Sequence, residues 1–125
     1  MELTPKHPTI KGPADWFTGD VWIDSVGAVQ ERLNLLSVHF TPGARTAWHS
    51  HDGGQTLYVT EGRGLVQSRG EPVVEIHPGV VAHTPAGEEH WHGAAPDHFM
   101  THLALTGGDA SWGPHVTDDE YNSRG

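Results

Sequence analysis

At 125 residues the chain has room for one domain with one modest core, and its 16 glycines and 9 prolines argue for many turns between short strands, not for long helices. It contains no cysteine, which excludes disulfides and thiolate metal sites, and its formal charge of −9 disfavours nucleic acid and anionic membranes as partners. No stretch approaches a membrane span and the first residues lack an apolar signal-type run, so a soluble cytoplasmic protein is expected. Eleven histidines and five tryptophans stand out. Histidine at that density is the composition of a metal or acid–base site.

In chain order, residues 1–19 carry Pro5, Pro8, Gly12, Pro13 and Gly19 and read as an extended arm. Its apolar points Ile10, Trp16 and Phe17 predict that it packs on the body of the protein. Val21 to Ile23 reads as a short strand and Asp24 to Arg32 as a loop. Leu33 to Phe40 is a predicted strand with Leu36, Val38 and Phe40 on one face and His39 on the other. Further strands are predicted over Thr46 to His51, Gln55 to Thr60, Leu65 to Ser68, Val73 to Ile76, Val80 to Thr84, Glu89 to Ala94 and Phe99 to Thr106. Turn signals at this spacing between β-rich runs indicate an antiparallel sandwich or barrel. Thr117 to Glu120 is a candidate capping box for one terminal helical turn.

The densest chemistry lies between Gly43 and Gly62. Gly43 is followed by five residues, His49-Ser50-His51, three residues, Gln55, six residues and Gly62. Side chains two positions apart on a strand share a face, so His49 and His51 point the same way. If the chain bends once at Asp52-Gly53-Gly54, the amide oxygen of Gln55 reaches the same point. Two imidazoles and one carbonyl-type oxygen make three corners of a metal site.

A second block supplies the fourth. Gly79, five residues, Pro85-Ala86-Gly87, two residues, His90, three residues and Ala94 follow at fixed spacing. Together the blocks resemble the two motifs of the cupin superfamily, with Gln55 where the motif has glutamate and Ala94 where it has asparagine. The resemblance covers roughly Leu33 to Thr106. It implies an all-β fold, the cupin double-stranded β-helix or jelly-roll barrel, with an N-terminal extended arm and a divalent metal at its centre. The expected organisation is a single domain over 1–125, with the arm at 1–19, the core barrel at 33–106 and a C-terminal tail at 115–125.

Glutamine in place of glutamate removes one negative charge from the ligand set. A divalent ion held by three imidazoles and an amide oxygen is left more Lewis acidic and resists oxidation to a trivalent state. Manganese, iron, nickel and zinc all suit such donors. His92 lies two residues beyond His90 and shares its face, and His102 shares a face with Met100, Ala104 and Thr106, so both are expected inside the barrel. Buried imidazoles that are not ligands are candidates for general acid–base work. Leu36, Val38, Phe40, Leu57 and Val59 are expected to line an otherwise apolar pocket. Trp48 and Trp91 neighbour ligand histidines and are expected to point away, packing between sheets or subunits. Arg45 is a candidate partner for Glu88 or Glu89. His39 is expected outside the pocket.

Further stretches narrow the resemblance. Gly12 to Gly19, Pro42 to His49, Gly54 to Leu57, His90 to Ala94 and His115 to Asp118 are similar to the bacterial cupin hydroxynitrile lyases. That resemblance implies His49, His51, Gln55 and His90 as ligands of a manganese(II)-type centre and His92 and His102 as the catalytic histidines. The expected activity is reversible cleavage of a cyanohydrin to an aldehyde or ketone and cyanide. A metal-dependent dioxygenase acting on an aromatic or alkene substrate, and a non-catalytic small-molecule binder, remain the alternatives. The expected partner is a small-molecule substrate. The apolar arm, with Trp16, Phe17, Val21 and Trp22, leads to the expectation of a homodimer or homotetramer.

Overall fold

The computed structural model describes residues 1–30 and 32–123. Among the described residues there are thirteen strands and one short helix. The strands are β1 (Ile10–Lys11), β2 (Phe17–Thr18), β3 (Val21–Gln30), β4 (Leu33–Phe40), β5 (Arg45–Thr46), β6 (His49–His51) and β7 (Gln55–Gly62). They continue with β8 (Gly64–Ser68), β9 (Val74–Ile76), β10 (Val81–Thr84), β11 (His90–Ala94), β12 (Met100–Gly107) and β13 (Ala110–Trp112), and the chain ends in α1 (Asp118–Tyr121).

One sheet runs β1-β3-β4-β12-β7-β10, with antiparallel pairing throughout. The other is built around β11, with β8 and then β9 to one side and β5 and β6 to the other. β2 pairs with β5 and β13 with β6. Alternation along the central strands sends one face of each inward. In β12, Met100, His102, Ala104 and Thr106 are buried while Leu105 is exposed. Val21, Val38, Phe40, Val59, Met100, Ile76 and Ala94, from both sheets, form the core between them, together with Phe17 from the arm. Burying each of these side chains larger than alanine contributes about 1.5–3 kcal/mol.

Several expectations need correction. Asp24 to Arg32 is not a loop across its length: β3 continues to Gln30 alongside β4. The register shifts between Ser25 and Gly27 and again between Ala28 and Gln30, and Gly27 adopts φ 122°. Such bulges break the period of two on which a strand reading rests. Glu31 and the last two residues of the expected tail lie outside the described residues. The run Thr46 to His51 is two strands, because Ala47 and Trp48 turn their amides elsewhere, to Trp16 O at 2.7 Å and Pro114 O at 3.0 Å. The arm contributes two strands of its own, and β13 forms where the sequence shows only Gly107-Gly108-Asp109 and Gly113-Pro114 punctuation.

The C-terminal segment covers the outer face of the second sheet. Trp48, Leu65, Trp91, Val116 and Tyr121 form a second core cluster there, so the two tryptophans pack beneath the tail. Thr117 caps α1 through the full reciprocal capping box with Glu120. Arg45 fastens this segment: its Nη2 donates to Val116 O at 2.9 Å and to Asp118 Oδ1 at 2.8 Å, and its guanidinium lies 4.5 Å from the Tyr121 ring. The expected pairing with Glu88 or Glu89 is therefore wrong. Glu89 bonds Arg69 instead.

Candidate metal centre and its cavity

β6 presents His49 and His51 on one face, and β11 pairs with it so that His90 lies directly opposite His49. The turn between β6 and β7 bends tightly enough to bring Gln55 back over the same point. Two glycines allow it. Gly54 adopts φ 77°, and a Cβ on Gly53 would lie 2.7 Å from the backbone of Gly107.

His49, His51 and His90 are all buried, and one ring nitrogen of each lies within 4.8 Å of the others, a grouping that could hold a metal ion. Backbone contacts set the tautomers. His49 Nδ1–H donates to Ala47 O at 2.9 Å, and His90 Nδ1–H donates to Glu88 O at 3.0 Å. Each Nε2 is therefore left as a lone pair. Burial keeps the rings neutral: desolvation, with the neighbouring His90, pushes His49 down to about 3 and His51 to about 4, and desolvation lowers His90 as well.

Two details fit this donor set to a cation. Gln55 Oε1 stands 2.9 Å from His90 Nε2, lone pair against lone pair, while Gln55 Nε2 donates to Thr106 Oγ1 at 3.0 Å. The reversed amide would satisfy both groups without a cation; the orientation seen turns an oxygen toward the imidazoles. Both ring nitrogens of His51 are buried with no hydrogen-bond partner among the described residues. An orphaned polar group of that kind costs about 1–3 kcal/mol unless something binds it. Three imidazole nitrogens and an amide oxygen, all neutral, are suitable donors for a divalent first-row ion.

His92 and His102 sit beside this cluster as a hydrogen-bonded pair, His102 Nε2 to His92 Nδ1 at 2.9 Å. Both are buried, at 4% and 0% exposure, and Phe40 packs against both rings. Desolvation lowers His102 to about 4; burial, then His102 itself, holds His92 well below its ordinary value. One proton is shared between the rings, and the outer nitrogens, His92 Nε2 and His102 Nδ1, have no hydrogen-bond partner among the described residues. The backbone N–H of His92 donates to Thr46 Oγ1 at 3.2 Å.

The two groups open on one cavity of about 390 Å³. Its walls include His49, His51, Gln55, His92, His102, Thr46, Thr106, Leu36, Val38 and Ala104. Leu36 and Val38 line it as expected. Phe40 and Val59 instead lie in the core, and Leu57 faces a smaller cavity behind His90. Inward-facing strand positions are shared between core and pocket, and periodicity alone does not divide them. His39 is on the outer face, where its Nε2–H donates to Asp24 Oδ2 at 2.9 Å and its Nδ1 accepts from the Thr101 hydroxyl at 3.1 Å. Trp16 and Trp112 also line the cavity. The sequence reading missed Trp112 because β13 is only three residues long.

A curled two-sheet barrel with a histidine cluster on its inner face defines a class, and residues 36–103 match the family described as a cupin domain. The chain belongs to that family. A protein named (R)-mandelonitrile lyase from Granulicella tundricola is 54% identical to it, with 89% of each chain covered. Among solved structures, a cupin-like protein from Thermotoga maritima is 39% identical, with a TM-score of 0.87 and coverage of 98% of this chain and 96% of that one. The polyketide cyclase RemF from Streptomyces resistomycificus shares the fold at 21% identity, with a TM-score of 0.65 over 81% of this chain and 75% of its own.

Proposed function

We propose that this protein is a divalent-metal-dependent hydroxynitrile lyase that cleaves cyanohydrins of the (R)-mandelonitrile type to an aldehyde and hydrogen cyanide, and catalyses the reverse addition. The observation that carries the proposal is the shared cavity: three of the four neutral donors, His49, His51 and Gln55, line the same 390 Å³ space as the His92–His102 pair, whose outer nitrogens have no partner among the described residues. The 54% identity to a mandelonitrile lyase supports the substrate class.

His49, His51, His90 and Gln55 would hold the ion. When bound there it supplies Lewis acidity, polarising the cyanohydrin oxygen and lowering the pKa of its hydroxyl. The residues do the rest. Burial keeps His92 and His102 neutral, so an outer nitrogen of the pair has a lone pair free to take the hydroxyl proton. As that proton leaves, the carbonyl forms and the carbon–carbon bond breaks, with its electron pair departing on cyanide. Cyanide then recovers a proton from the histidine pair and leaves as hydrogen cyanide, which returns both imidazoles to the neutral state. No oxidant or reductant is needed. Leu36, Val38 and Ala104 exclude water from the organic group and strengthen every polar contact at the reacting carbon.

Gln55 supports this reading over oxygen chemistry, because no ligand anion offsets the added charge of a trivalent ion. Manganese(II) as the resident ion, a homodimer or homotetramer as the assembly and the cytoplasm as its location complete the proposal. Metal-loaded protein incubated with mandelonitrile under argon should release benzaldehyde and cyanide in equal amounts, and His102→Ala should not. Turnover no faster than buffer, or turnover that appears only when dioxygen is admitted, refutes the assignment.

A further inference from the structure

One edge of the metal-bearing sheet is closed by two segments from opposite ends of the chain. β5 and β6 form an interrupted line, and β2 and β13 lie end to end along it, Phe17 opposite Thr46 and Trp112 opposite His49. Ala47 N–H donates to Trp16 O at 2.7 Å, and Gly113 N–H donates to Trp48 O at 2.7 Å, so both segments are tied to the gap between the two strands. This places Trp16 flat against Trp112, with ring centroids 4.9 Å apart and planes 4° from parallel. Trp112 in turn lies on the His49 ring at 4.6 Å and 27°, and Phe17 leans on it at 6.2 Å.

Both indoles line the cavity, and Trp16 remains 42% exposed. A continuous aromatic surface therefore runs from open solvent to a histidine of the metal cluster. The facing surfaces, Ile23, Leu36, Val38 and Ala104, are aliphatic. A cavity with one aromatic side discriminates by shape and quadrupole. A flat aryl group gains stacked or edge-to-face contact in addition to the area it buries, whereas an alkyl group of the same size gains only the area.

We propose that Trp16 and Trp112 are specificity-determining residues, forming the wall that selects aryl over alkyl substrates. The N-terminal arm is then part of the active site. The substrate named here rests on the lyase reading; the preference of the wall does not. Aromatic contact of this kind corresponds to about a two- to tenfold preference.

The test is a calorimetric titration of metal-loaded protein with benzyl alcohol and with cyclohexylmethanol, alcohols of matched size that differ in flatness. Alongside it, kcat/KM is measured for mandelonitrile and for an aliphatic cyanohydrin. The parent should bind benzyl alcohol about two- to tenfold more tightly. Trp112→Leu should erase the preference, Trp112→Phe should restore most of it, and Trp16→Leu should reduce it, with metal content unchanged in each. If Trp112→Leu loses its thermal transition, Trp16→Leu decides, since that ring lies at the surface. Equal affinity of the parent for the two alcohols, or an undiminished preference in the folded leucine variants, overturns the proposal. Absence of mandelonitrile turnover with the alcohol preference intact sinks the lyase reading and leaves the wall standing.

Discussion

Five neutral imidazoles packed into one small barrel make the metal-free protein acid-labile, and the size of the effect follows from their burial. His49 is lowered to about 3 and His51 and His102 to about 4, each first by desolvation, and His90 and His92 are lowered too. In the unfolded chain each returns to about 6.5. Below that pH the unfolded state takes up protons that the folded state refuses, so acid favours unfolding. The loss grows by about 1.4 kcal/mol per pH unit for each group until the folded pKa is reached. At about pH 5 that is roughly 2 kcal/mol for each of His49, His51 and His102, and about 6 kcal/mol for the three together. Typical total stabilities are about 5–15 kcal/mol. Urea unfolding in chelator, at steps from about pH 7.5 to about pH 5, should therefore show stability falling steeply below about pH 6.5. A change of less than about 1 kcal/mol across that range would refute the claim that these rings are buried without charge.

Replacing His102 with alanine should cut cyanohydrin cleavage by about a hundredfold or more while leaving bound metal at parent stoichiometry, as steady-state rates and elemental analysis would show. Gln55→Glu introduces a carboxylate beside His90, and it should tighten divalent-ion binding in competition with a chelator while lowering kcat, because the added anion weakens the Lewis acid. Arg45→Ala removes the bonds to Val116 and Asp118 and should cost about 1–3 kcal/mol in denaturant melts, with kcat/KM for mandelonitrile little changed.

Much of the site is written in local spacing, which is why it is legible in the sequence. His49 and His51 share a face because strands alternate. The Gly53-Gly54 bend and the Pro85-Ala86-Gly87 turn carry their own signals, and with them Gln55 and His90 fall into place. His92 and His102 follow from the same parity, and His39 falls on the outer face for that reason too. What could not be read depends on contacts between distant segments. The bulges in β3 hide a long strand. β5 and β6 separate only because Trp16 and Pro114 take the amides between them. Arg45 finds Asp118 rather than Glu88, since the tail folds back over β11 and no local pattern announces it. Trp112 faces His49 through a three-residue strand whose pairing is with β6 alone.

The most direct measurement is anomalous scattering from crystals of metal-loaded protein. A single strong peak is expected at coordination distance from His49 Nε2, His90 Nε2, a ring nitrogen of His51 and Gln55 Oε1, with an open position facing the His92–His102 pair. A peak elsewhere, or a Gln55 amide turned so that its nitrogen faces His90, would contradict that arrangement.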